Sequence, residues 1–209
     1  MKDRNPQVIK PQWNAQFSSL RDSAVPLSLI TSVVILRTVT FLGFGFYLTQ
    51  LGRDRGLSLL EGSIPLAVYN LSGVAGSLAA GFLADLWDAK KIVLLTIALA
   101  CPSLLAYLHS VGPVSYLWLV LGGIGIMASN SVLIAMAQEL APNNTGLASS
   151  LPLGFSWGIA SFSLPLIGYL ADQVGIAQAL NYLALLPLPT VILAMFLPAQ
   201  SNRHQPTRR

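Results

Sequence analysis

Long apolar runs separated by short polar segments make up most of the chain, and they predict helices that cross a membrane. Six runs are long enough to span about 30 Å of hydrocarbon as an α-helix. They cover residues 24–51, 63–84, 92–108, 114–137, 146–171 and 176–197. Because an α-helix satisfies its own backbone hydrogen bonds, it is the structure that such runs adopt in lipid. We therefore predict an all-α polytopic membrane protein with six transmembrane helices.

Polar residues at both ends predict tails outside the membrane. We expect a polar cytoplasmic tail or linker over residues 1–23, the transmembrane domain over 24–198 and a basic cytoplasmic tail over 199–209. Lys and Arg are enriched in cytoplasmic segments. With the amino terminus inside, nine basic residues are cytoplasmic and two, Arg53 and Arg55, are outside. This bias predicts a multi-pass protein of the cell (inner) membrane with both termini in the cytoplasm. The nine residues are Lys2, Arg4, Lys10, Arg21, Lys90, Lys91, Arg203, Arg208 and Arg209.

The composition argues against several classes of function. Hydrophobic residues make up 54% of the 209 residues and charged residues only 10%, whereas soluble domains are about one quarter charged. The net charge of +4 lies in tails and loops and forms no basic stripe with interleaved aromatics, so nucleic acid is not an expected partner. The single cysteine, Cys101, and two separate histidines suggest no metal cluster. No catalytic constellation or phosphate-binding loop is recognisable, so we predict no enzyme and no cofactor.

Small residues recur every four positions in two of the runs, a spacing that favours close helix packing in lipid. Gly73, Ser77 and Gly81 form one stripe, and Gly154 and Gly158 form a second pair. Both sets are available for packing, either within the bundle or against another subunit.

One charged residue, Arg37, lies near the middle of the first run. An isolated arginine at the centre of a bilayer costs about 2.5–3.5 kcal/mol, so this side chain should face a protein interior or a wet cavity. Thr40 and Tyr47 continue outward from it, and the fourth run carries Asn130 in a polar patch. We expect these two helices to line a polar cavity, with these four residues in substrate binding or gating. A guanidinium can hold a carboxylate or phosphonate bidentately.

Two other interpretations of Arg37 stay open. The side chain can pair with an acid or with carbonyl groups of a neighbouring helix, which would make its role structural. Alternatively, the boundary of the first span lies elsewhere and Arg37 is not at the bilayer centre.

A charged hairpin, GFLADLWDAKK at residues 81–91, joins the second and third runs. Its charges cannot lie in hydrocarbon, so it marks a membrane surface. The sequence Gly-x-Leu-Ala-Asp followed by basic residues resembles the loop motif of the major facilitator superfamily of secondary transporters. In that motif a basic residue follows the aspartate and a glycine stands two positions further on. This chain has Leu86 and Asp88 in those places.

The resemblance implies that Gly81, Asp85, Lys90 and Lys91 act as a conformational motif. A carboxylate at the carboxyl end of a helix is unfavourable to the helix dipole, so Asp85 should have a compensating partner. We expect Asp85 to cap or pair across the junction and to steady one of two access states.

The same pentapeptide pattern occurs twice, at residues 81–85 and 168–172, each time at the end of a span. The two copies are three helices apart, and an odd number of crossings inverts one relative to the other. This arrangement is similar to the three-plus-three inverted repeats nested in each half of that transporter fold.

From residue 136 onward, the chain resembles the carboxyl-terminal half of fosmidomycin-resistance-type transporters of the same superfamily. AQEL-x-P, GLASSL, LGF and P-x-x-G-x-LAD-x-x-G carry the similarity, which extends over residues 28–197. It implies one six-helix half of an exporter that works by secondary active alternating access, driven by proton entry. No acidic residue lies within a run, so a coupling acid would come from another half. The implied partners are the lipid bilayer, a small substrate for which Arg37 suggests an anion, and a second copy or a separate amino-terminal half.

Two alternatives to a working half-transporter stay open. The chain can be a non-transporting membrane scaffold or regulatory subunit, or a fragment of a split transporter gene. In a scaffold, the polar residues of the first and fourth helices would face helix contacts or solvent and would not line a cavity.

Overall fold

A computed structural model describes residues 24–198, and the regular structure in this range is helical throughout. Six helices are long and apolar enough to cross a membrane, as the six apolar runs predict. The prediction of an all-α fold is confirmed. The predicted tails, 1–23 and 199–209, lie outside the described residues. The helices are α1 (Ala24–Asp54), α2 (Leu59–Leu86), α3 (Ala89–His109), α4 (Pro113–Leu140), α5 (Thr145–Val174) and α6 (Ile176–Met195).

Two helices, α2 and α3, begin before their apolar runs because polar residues cap their amino termini. Ser58 and Glu61 form a capping box at the start of α2, in which Ser58 N donates to Glu61 Oε2 at 3.0 Å and Glu61 N donates to Ser58 Oγ at 3.3 Å. Asp88 caps α3 by accepting the backbone N–H of Lys91 at 3.1 Å. Capping satisfies N–H groups that have no partner within the helix. The helices therefore begin three or four residues earlier than hydrophobicity alone suggests.

Two of the six helices are irregular. A π-helical turn, Leu151–Phe155, lies within α5 and contains Pro152. The sixth helix consists of two segments, Ile176–Leu185 and Pro187–Met195. Proline lacks a backbone N–H and clashes with the preceding turn, which explains why α6 is interrupted just before Pro187.

The fourth helix lies between α2 and α3, and its glycines allow both neighbours to come close. A Cβ atom at Gly123 would lie 2.7 Å from the carbonyl oxygen of Tyr69 in α2. A Cβ atom at Gly125 would lie 2.8 Å from the carbonyl oxygen of Thr96 in α3. Such contacts leave no room for any side chain, so backbone packs directly against backbone.

The stripe Gly73, Ser77 and Gly81 also packs against α4, so the bundle itself uses it. A Cβ atom at Gly73 would lie 2.9 Å from Met127 Cγ. Ser131 Oγ of α4 donates to the Ser77 carbonyl at 2.7 Å and also contacts Ser77 Oγ at 3.1 Å.

Gly154 and Gly158 differ from this stripe. A Cβ atom at either position would meet nothing within 4 Å. These two glycines therefore lie on an open face of α5, where a side chain would have space.

Gly125→Ala should destabilise the bundle. The added Cβ would meet backbone atoms of α3, at 2.8 Å from Thr96 O and 3.0 Å from Ala100 Cα. Overpacking of this kind costs about 1–3 kcal/mol, which outweighs the gain of about 1 kcal/mol from replacing a helical glycine. Thermal unfolding in detergent can be followed with a thiol-reactive dye, because the only cysteine, Cys101, is buried.

Gly158→Ala is the matched control, because its Cβ has open space. It should unfold at the temperature of the unmodified chain or slightly above. A Gly125→Ala variant as stable as the control would contradict the close approach of α3 and α4.

Candidate functional site

Arg37 lies in the interior of the bundle, at the contact between α1 and α4, with 1% of its surface exposed. Its Nη2 donates to Asn130 Oδ1 at 2.7 Å and to Thr38 Oγ1 at 3.2 Å. Its Nη1 donates to the Ile126 carbonyl at 3.4 Å and contacts Met127 Sδ at 3.2 Å. Three of these four partners belong to α4, so the side chain joins the two helices.

All four partners are uncharged: an amide, a hydroxyl, a main-chain carbonyl and a thioether. A fifth donor, Arg37 Nε, is buried without a hydrogen-bond partner among the described residues. A buried charge is costly unless it is paired and hydrogen-bonded. Neutral dipoles offset only part of this cost, so the positive charge of Arg37 remains available to an anion.

Tyr69 of α2 is fully buried, and it packs on α1 one turn further along from Arg37, at Phe41. Its hydroxyl has no hydrogen-bond partner among the described residues. The ring stacks on Phe41 with centroids 5.5 Å apart and an interplanar angle of 25°. It also contacts Phe44 at 6.1 Å. A buried tyrosine hydroxyl usually finds a partner, so this second unpartnered donor is unusual.

A layer of half-buried side chains surrounds these two buried residues. It consists of Phe41, Met127, Asn130 and Trp157, and Trp157 of α5 meets Phe41 edge-on at 6.2 Å. We call Arg37, Tyr69 and these four residues the Arg37 cluster. It combines a cation and an amide with aromatic and thioether surfaces, a set suited to a small amphipathic anion.

The structure brings together Arg37 and Asn130, two of the four residues expected in substrate binding. Thr40 is buried, but its hydroxyl donates to the Leu36 carbonyl of its own helix at 3.2 Å. Tyr47 donates to the Leu164 carbonyl of α5 at 3.1 Å. Tyr47 is ten residues from Arg37, about 15 Å along a helix, and it contributes to the α1–α5 contact at another level.

Where a polar cavity was expected between α1 and α4, Arg37 and Asn130 hydrogen-bond each other directly. Open grooves occur instead on both sides of α5. A groove of about 410 Å³ separates the start of α1 from the start of α5 and is lined by residues such as Ser28, Ser32 and Phe155. A groove of about 230 Å³ lies between α5 and α6.

The hairpin residues contribute to the ends of three helices. Lys90 Nζ donates to the Leu197 carbonyl, just beyond α6, at 2.7 Å. Lys91 contributes its backbone N–H to the Asp88 cap. Gly81 and Asp85 line a small cavity of about 50 Å³ together with Ser131 of α4. The departure of Asp88 from the loop motif thus has a local reason, because its carboxylate begins α3.

Sequence reasoning missed Tyr69, the aromatic layer and the contact from Lys90 to the end of α6. Tyr69 stands about 15 residues before the end of the second apolar run, and Arg37 about 13 residues after the start of the first. Because consecutive spans run in opposite directions, the two residues lie at a similar depth, and this similar depth was the signal that could have paired them. Tyrosine does not interrupt an apolar run, and its partner helix is not evident from spacing.

The chain matches the family model of the Major Facilitator Superfamily over residues 3–153. It belongs to the Major Facilitator Superfamily. Its relatives include an uncharacterized MFS-type transporter, YfnC, of Bacillus subtilis, which is 31% identical over 70% of this chain and 36% of the relative. The fosmidomycin resistance protein of Escherichia coli is 30% identical over 78% of this chain and 38% of its own length. The benzoate transport protein of Acinetobacter baylyi is 26% identical over 83% and 38%, respectively.

A solved structure of FucP, a Major Facilitator Superfamily transporter in the outward conformation, shows the same fold. Its TM-score is 0.71 at 14% identity, over 84% of this chain and 43% of FucP. The chain therefore spans less than half the length of the relatives it matches. Family membership confirms the predicted resemblance and agrees with the expectation of a membrane transporter that is not an enzyme.

Proposed function

We propose that the chain is a six-helix half of a secondary transporter that exports a small anionic molecule by alternating access. The observation that carries this proposal is Arg37, a fully buried cation whose contacts in the described part of the chain are neutral. Intramembrane charges of this kind mark substrate pathways in transport proteins. One relative is named for benzoate transport, and benzoate carries a carboxylate.

The proposed transporter needs a second six-helix half. The chain covers 36–43% of its relatives and of FucP, which is the share that one of two halves would cover. The motifs after residue 136 favour the carboxyl-terminal half. A separate amino-terminal half or a second copy of the chain would complete the pathway, with the two units related by an axis along the membrane normal.

Export is supported by the relative named for fosmidomycin resistance, because removal from the cell is one way in which a transporter confers resistance. The acidic residues in the described range lie in loops or in the end turns of helices: Asp54, Glu61, Asp85, Asp88, Glu139 and Asp172. A proton-carrying acid at mid-membrane would therefore come from the second half.

A second candidate function, a non-transporting scaffold, is favoured by one observation. Arg37 and Asn130 hydrogen-bond each other across the contact between α1 and α4. In a transporter this contact must open or rearrange during the cycle, whereas in a scaffold it only fastens α1 to α4. Substitutions at the two positions separate the candidates.

We also propose that both ends of the chain lie in the cytoplasm and the α1–α2 turn outside, which the distribution of basic residues supports. Reporter fusions test this orientation. A fusion after Arg209 should show cytoplasmic activity, and one within residues 55–58 should show external activity. An external carboxyl terminus would contradict it.

Arg37 variants should lose export in a graded way. Arg37→Lys keeps the charge but loses the planar fork, so export of benzoate from cells should fall about tenfold. Arg37→Ala loses charge and fork and should abolish export, provided that the membrane level of the protein is unchanged. Normal export by the alanine variant would contradict a role of Arg37 in transport. Loss of folded protein in both variants would favour the scaffold function.

Asn130→Asp provides a second test of the same site. The new carboxylate would stand where Asn130 Oδ1 lies now, 2.7 Å from Arg37 Nη2, and would form an internal ion pair. We expect a more heat-stable protein that exports poorly, since the charge of Arg37 is then neutralised. A scaffold would gain the same stability with no functional loss in its host.

The second half should pack on the open face of α5. In a Cys101→Ser background, Gly158→Cys places a thiol on this face, and Leu95→Cys places one on the exposed surface of α3. A short bismaleimide in native membranes should trap a pair from the first variant and not from the second. Equal trapping at both positions would indicate random collision, and a monomer with full export would contradict the need for a second half.

A further inference from the structure

We propose that Tyr69 and the Nε edge of Arg37 together bind the anionic group of an aromatic substrate, beneath Phe41 and Trp157. This inference rests on the proposed function and identifies a ligand-binding residue on α2, a helix in which the sequence suggests no substrate-binding residue. It also limits the substrate class to aromatic carboxylates and their close analogues.

The first step is the pair of unused donors. Arg37 Nε and the Tyr69 hydroxyl are both buried and both lack a hydrogen-bond partner in the described range. They belong to different helices, and the Tyr69 ring stacks at 5.5 Å on Phe41, which lies one turn along α1 from Arg37. Each unmade hydrogen bond in a low-dielectric interior carries a desolvation penalty. One acceptor between the two donors would satisfy both, and a negatively charged acceptor would also compensate the guanidinium.

The second step excludes the groups that are already engaged. The two Nη atoms of Arg37 hold Asn130, Thr38, Ile126 and Met127. An anion that approached them would have to displace these contacts. At the Nε edge no hydrogen bond needs to be displaced, so binding there leaves the α1–α4 connection intact.

The third step concerns the non-ionic part of the substrate. Tyr69 stacks on Phe41, and Trp157 meets Phe41 from α5. Phe41 and Trp157 are half-buried, whereas Tyr69 and Arg37 are fully buried. A ligand that reaches the two donors must therefore pass between aromatic rings, and its own ring can remain among them. Aromatic pairs in this geometry are favourable beyond the area they bury.

The fourth step concerns access. Phe41 is half-buried and belongs to the same helix as Arg37, one turn further along. In this proposal, Phe41 and Trp157 form the cover of the binding site, with rotation of the Phe41 ring giving access to the donors.

The test measures equilibrium binding to the full chain in lipid nanodiscs, with benzoate, benzamide and acetate as probes. Benzamide keeps the ring but has no charge, and acetate keeps the charge but has no ring. Tyr69→Phe removes only the hydroxyl. It should raise the dissociation constant for benzoate about tenfold or more, since hydrogen bonds to charged groups are the strong ones, and should leave benzamide binding unchanged.

Tyr107→Phe is the matched control, because Tyr107 is a buried tyrosine on α3 that is not part of the Arg37 cluster. It should bind all three probes as the unmodified chain does. Acetate should bind the unmodified chain at least tenfold more weakly than benzoate if the aromatic cover contributes.

Three results would overturn the inference: unchanged benzoate binding in Tyr69→Phe, an equal loss for benzoate and benzamide, or no benzoate binding by the unmodified chain. An equal loss of affinity for benzoate and benzamide would show that the Tyr69 hydroxyl affects packing and does not bind the anionic group. Failure of the proposed function would be observed differently: export would then not depend on Arg37. If export depends on Arg37 but Tyr69→Phe binds benzoate normally, the proposed transport function is supported and the proposed role of Tyr69 is wrong.

Discussion

The close approach of helices at the glycines of α4 is the constraint on which the rest of the bundle depends. In lipid, helices gain little from hydrophobicity, so close packing and hydrogen bonds decide how they associate. Gly123 allows the Tyr69 turn of α2 to lie directly against α4. The same stretch of α4 continues into the acceptors of Arg37, Ile126 to Asn130. A polar cluster from three helices therefore forms where the smallest residues permit contact.

The energetics of Arg37 follow from this packing. A guanidinium surrounded by dipoles has a lower free energy than one in hydrocarbon. The charge-assisted hydrogen bond to Asn130 is among the stronger kinds of hydrogen bond. Neutral acceptors do not cancel a full charge, however, and at low dielectric a counter-charge gains more than it would in water. Under the proposed function, the site is stable enough to fold without an anion and gains from binding one. A carboxylate of the chain in the same place would have removed that preference.

The sequence allowed the number, order and approximate position of the helices to be predicted, because hydrocarbon thickness sets the length of each apolar run. The helix ends were missed where polar residues extend a helix, as Ser58 and Glu61 do before α2 and Asp88 does before α3. The Arg37–Asn130 pair could be predicted from the sequence because both residues stand out in apolar surroundings. The position of Tyr69 could not be predicted, since it depends on how α2 is rotated against α4. That rotation is set by contacts between helices and not by periodicity.

The charged residues of the hairpin contribute both to membrane orientation and to the stability of helix ends. Lys90 contributes to the bias that orients the chain, and its ammonium group also contacts the carbonyl of Leu197 at the end of α6. A cation at a helix carboxyl terminus is favourable, so the lysine stabilises α6 while it belongs to the start of α3. Asp88 stabilises the amino terminus of α3, where the helix dipole favours a negative charge. The hairpin therefore stabilises the carboxyl end of one helix and the amino end of another, and the Lys90 contact ties the start of α3 to the end of α6.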